Sequence, residues 1–80
     1  MGDEDILRQI GRLADEEREL EATHVGEGLS DDDRDRLRTV QVSLDQCWDL
    51  LRQREARRNA GQNPDGAQVR SEGVVEGYQQ

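Results

Sequence analysis

Apolar residues recur at helical spacing in two stretches of the chain. The first runs Ile6, Ile10, Leu13, Leu20, with Glu17 and His24 on the same stripe, in steps of three and four. Leu7 and Ala14 widen it. The second runs Leu37, Val40, Leu44, Cys47, Leu51, with Trp48 on one side and Leu50 on the other. This spacing places each set along one face of an α-helix. It predicts helices from Ile6 to about His24 and from Ser30 to about Asn59.

The residues between and beyond the stripes agree. Val25-Gly26-Glu27-Gly28-Leu29 holds two glycines in five positions, which stops a helix and allows a tight reversal. Ser30 reads as an N-cap, with Asp33 three residues on where a capping carboxylate sits. Asp3-Glu4-Asp5 and Asp31-Asp32-Asp33 favour the positive helix end, and Arg57-Arg58 the negative end. Gly61 and Asn63-Pro64-Asp65-Gly66 terminate the second helix. Gly11 interrupts the first pattern; it marks either a close approach of two helices or a tolerated defect.

A five-residue break makes the two helices antiparallel neighbours. Asp3, Glu4 and Asp5 then lie beside Arg52, Arg54, Arg57 and Arg58, so unlike charges meet. The expected fold class is all-α: an antiparallel hairpin over residues 1–60, with an irregular tail over 61–80. The tail carries only Val69, Val74, Val75 and Tyr78 as large apolar residues, so it is expected to be mostly mobile, with Val74, Val75 and Tyr78 as a turn that could dock. The two stripes are broader than a lone pair of helices can cover. The expected assembly is a homodimer, two hairpins forming a four-helix bundle, with Trp48, Leu44, Leu51, Leu13 and Ile10 at the interface.

Composition narrows the function classes. The 80 residues are 31% apolar and 38% charged, and the net charge of −8 is carried by 19 acids against 11 arginines, with no lysine. Such a balance disfavours nucleic acid and anionic membranes as partners. One cysteine, Cys47, excludes an intrachain disulfide. The acidic N-terminus leads into no long apolar run, and Ile6 stands where a myristoylation signal needs Ser or Thr. The expectation is a cytoplasmic protein with no membrane span.

Few residues suggest chemistry. Glu17 breaks the first apolar seam; the expected explanation is an ion pair with Arg34 or Arg38. Glu21 and His24 have the Glu-x-x-His spacing of carboxylate-bridged metal sites, but at a helix end and without facing carboxylates. Glu17, Glu21 and His24 are therefore only weak metal candidates, and no cofactor is expected. Cys47 has no basic partner and reads as a small core hydrophobe, and Trp48 as a core or interface anchor. Asp45 and Asp49 flank Trp48 and are expected to face solvent. The Arg52–Arg58 cluster lacks interleaved aromatics, so pairing with the acidic N-terminus outweighs phosphate binding.

Several segments together resemble a family. They are Gly28-Leu29-Ser30, the run Leu44-Asp45-Gln46-Cys47-Trp48-Asp49-Leu50-Leu51-Arg52-Gln53-Arg54, Asn63-Pro64-Asp65 and Val74-Val75-Glu76-Gly77-Tyr78. They resemble a family of short actinobacterial proteins classed as a domain of unknown function. The resemblance implies a bacterial cytosolic protein and no assigned activity. It also implies that a patterned tail docks rather than floats. Taken together, these features give a non-enzymatic helical interaction or assembly module as the leading expectation. The alternatives are a small metal- or ligand-binding bundle and a regulator that docks on a larger protein.

Overall fold

The computed structural model describes residues 2–23, 28 and 30–77. It contains α1 (Asp3–Thr23), α2 (Asp31–Asn59), a 3-10 turn (Pro64–Gly66) and α3 (Glu72–Gly77), with no strand among the described residues. α1 and α2 pack as an antiparallel hairpin, and the 3-10 turn and α3 both pack on α2.

Each helix starts where its first-turn donors find an acceptor. Gly2 caps α1: its carbonyl accepts from the Asp5 and Ile6 N–H groups, and its own N–H donates to the Asp5 carboxylate. The helix therefore begins three residues ahead of the apolar stripe. Ser30 caps α2. Its hydroxyl accepts from the Asp33 N–H at 3.2 Å and donates to the Asp33 carboxylate at 2.9 Å. The end of α2 closes through Gly61, whose φ is +74. The Gly61 N–H donates to Arg58 O, and the Gln62 N–H to Arg57 O. This pair of bonds satisfies two terminal carbonyls and needs a left-handed residue at Gly61.

The core lies along the α1–α2 seam. Ile6, Ile10, Cys47 and Leu50 are buried together, with Leu13, Leu44, Leu51 and Ala67 packed against them. Ala67 comes from the tail, so the tail completes one side of the core. Val40 in α2 and Val75 in α3 are also buried. Burial pushes the Cys47 thiol above its ordinary pKa. Gly11 has open space where a side chain would stand, so it marks no close approach.

Candidate interaction surface

Three polar side chains of α2 hold the returning tail. Gln46, Asp49 and Gln53 follow one another at three and four residues, so they share one helix face. Gln46 donates to the Arg70 carbonyl at 3.2 Å. Gln53 donates to the Gln68 carbonyl at 2.7 Å, and its amide oxygen accepts from the Gln68 N–H at 3.4 Å. Between them Asp49 is only 2% exposed. Its Oδ2 accepts from Arg70 Nε and from Gln53 Nε2, both at 2.9 Å. The expectation that Asp49 faces solvent is therefore wrong. The physical reason is the tail, which returns over α2 and brings a guanidinium to the carboxylate. The tail itself is fixed in the same way: residues 64–77 lie along α2, and α3 is tied to it further by an ion pair between Glu72 and Arg38. Tyr78 lies outside the described residues.

A second set of contacts closes the other end of the hairpin. Arg54, 7% exposed, bridges Asp3 of α1 and Asp65 of the 3-10 turn, the latter at 3.0 Å. Arg58 adds a 2.9 Å bond to Asp3. Hydrogen bonds from Arg54 and then Arg58 hold the Asp3 carboxyl below its ordinary pKa. This is the charge match that sets the hairpin's direction. It also occupies half of the arginine cluster; Arg52 and Arg57 form no ion pair among the described residues and line a shallow hollow with Arg70.

The opposite side of the seam is open. Glu17 of α1 and Arg38, Gln41, Val42, Leu44, Asp45 and Trp48 of α2 line one groove. Trp48 is 49% exposed there. Leu13, Leu20, Leu37, Leu44 and Leu51 are half-buried, whereas the tail-side residues Ile6, Cys47 and Leu50 are buried. The hairpin is thus covered by its own tail on one flank only.

The residues singled out from sequence divide accordingly. Ile10 is enclosed within the hairpin core and Leu13 and Leu51 sit at its margin. Leu44 and Trp48 line the open groove, so Trp48 is not a core residue of this fold. Glu17 lines the groove too, without the expected ion pair to Arg34 or Arg38 among the described residues. Arg38 turns to Glu72 instead, and it is Glu16, one position earlier, that pairs across the hairpin with Arg36. The step from Glu17 to Glu16 is a rotation of about 100° around the helix. Glu21 is exposed, and His24 lies outside the described residues. No group of three or more metal-ligating side chains occurs among the described residues.

No described helix is long and apolar enough to cross a membrane. The geometry is that of an all-α helical hairpin fastened on one flank by its own C-terminal segment. The chain belongs to the family described as "Protein of unknown function (DUF2630)", whose model matches residues 2–80. It is similar to the uncharacterized protein Rv0898c of Mycobacterium tuberculosis and to the uncharacterized protein Mb0922c of Mycobacterium bovis. Each is 44% identical over 77 residues, covering 95% of this chain and 88% of the relative. No solved structure matches the chain.

Proposed function

We propose that this protein is a non-enzymatic cytoplasmic module that works by helical protein–protein association through the open flank of its seam. The observation behind the reading is Trp48, the largest apolar side chain of the sequence, half exposed in a groove at the edge of the hairpin. A tryptophan gains more from desolvation than any other side chain in this composition, and such residues anchor interfaces. The half-buried leucines along the same seam have the partial exposure expected of side chains that a partner finishes burying. Pairing of two hairpins into a four-helix homodimer is the simplest assembly of this kind.

A photo-crosslinking residue at position 48, expressed in the native host, tests the reading. Crosslinked protein adducts at position 48 and none at the exposed position 12 are expected. Absence of any protein adduct at position 48 sinks it.

A further inference from the structure

We infer that the open flank binds a second copy of this chain, with the two α2 helices antiparallel and the two-fold axis passing beside Trp48. The inference rests on the association reading above and names its partner. It is carried by the charges around the tryptophan. Asp45, Trp48 and Arg52 follow at three and four residues, so they form one stripe on α2 with an acid one turn before the tryptophan and a base one turn after it. Asp45 lines the groove and Arg52 is exposed. Neither forms an ion pair among the described residues, although most of the other arginines of α2 do.

A two-fold interface is self-complementary: a contact from residue i of one copy to residue j of the other is repeated from j of the first to i of the second. Antiparallel pairing about Trp48 brings Asp45 of each copy to Arg52 of the other. The two indole rings lie between these pairs, and each Leu44 stands level with the Asp45–Arg52 pair on its own side of the axis. Parallel pairing instead sets Asp45 against Asp45 and Arg52 against Arg52. The stripe therefore selects the antiparallel arrangement, and the mixed lining of the groove, Glu17 with Gln41 and Leu44, leaves room for an indole without presenting an unbroken apolar face. The tail-side flank offers no such site, since Gln46, Asp49 and Gln53 are already occupied by the tail.

The test uses the full chain and two charge reversals, Asp45→Arg and Arg52→Asp. Neither touches a contact that holds the hairpin, and circular dichroism confirms that each variant folds. Sedimentation equilibrium of the unaltered protein at micromolar concentration should give twice the 9.1 kDa chain mass. Each single reversal should weaken self-association about tenfold or more, because two unlike pairs become like pairs in a partly desolvated interface. An equimolar mixture of the two variants should recover the dimer as a heterodimer, and the double variant should recover it as a homodimer. A chain that stays monomeric at about 100 µM, where a dimer with a micromolar Kd would be populated, overturns the inference. So does a dimer indifferent to both reversals. The crosslink at position 48 separates this outcome from failure of the broader reading: adducts to other proteins alone, with a monomeric chain, leave the association reading standing without the self-pairing.

Discussion

Asp49 and Arg70, twenty-one residues apart, form a 2.9 Å ion pair in which the carboxylate is almost fully enclosed and the guanidinium is about one-third exposed. The asymmetry decides what each substitution does. Arg70→Ala leaves a buried carboxylate with a single amide donor, and its Oδ1 has no hydrogen-bond partner among the described residues even in the intact protein. The expected loss is about 3 kcal/mol. Asp49→Ala removes a partner from a guanidinium that is already about one-third exposed to water, so its loss is smaller, about 1–2 kcal/mol. Urea unfolding at neutral pH measures both, and equal losses would show that the burial of Asp49 is not what matters.

The fastening of the tail makes a second, local prediction. Gln53→Ala removes both bonds to the Gln68 backbone without opening the α1–α2 core. Amide exchange at Gln68, Val69 and Arg70 should quicken while the amides around Leu50 keep their protection. Uniform acceleration along α2 would mean that tail and hairpin open together.

Asp3 confers a pH dependence of known sign. Its folded pKa is depressed by Arg54 and Arg58 below the ordinary value of 3.8. The folded state therefore binds the proton less readily than the unfolded chain. The contribution is present in full above the ordinary value and is lost as pH falls through the depressed one. Asp3→Asn lacks it at every pH. The difference in urea midpoint between the two proteins should be constant from neutral pH down to about 5 and shrink below about 4.

Two glycines should respond in opposite directions to alanine. Gly11 lies in the interior of α1 with open space around its Cα, so Gly11→Ala should stabilise by about 0.5–1 kcal/mol. Gly61 holds a φ of +74 at the close of α2, and Gly61→Ala should destabilise by about 1 kcal/mol. Thermal melts of the two variants should move to opposite sides of the unaltered protein.

Both helices, the Ser30 cap and the antiparallel direction were legible in the sequence, because each depends on residues close in the chain or on charge blocks at helix ends; the expected glycine-rich reversal lies, apart from Gly28, outside the described residues. Asp3 against Arg54 and Arg58 follows directly from that charge reading. The tail was not legible in the same way. Its apolar content is too small to signal docking, and beside the few apolar contacts of Ala67 and Val75 it is held by ion pairs and by side chain to backbone bonds, which carry no hydrophobic period. The available signal was the polar stripe Gln46, Asp49, Gln53, three hydrogen-bonding residues aligned on one face next to the core stripe. Glu17 was misjudged for a different reason. Seam position alone fixes an angle on the helix but not which flank the tail will cover, and the two flanks of this seam have opposite fates.

The Arg54 bridge couples segments that lie far apart in the chain. One guanidinium joins the first turn of α1, the last turns of α2 and the 3-10 turn, so three stretches up to 62 positions apart must separate together. Truncating the first few residues should loosen the 3-10 turn, and removing the tail should loosen the start of α1, although those two segments do not adjoin in the chain.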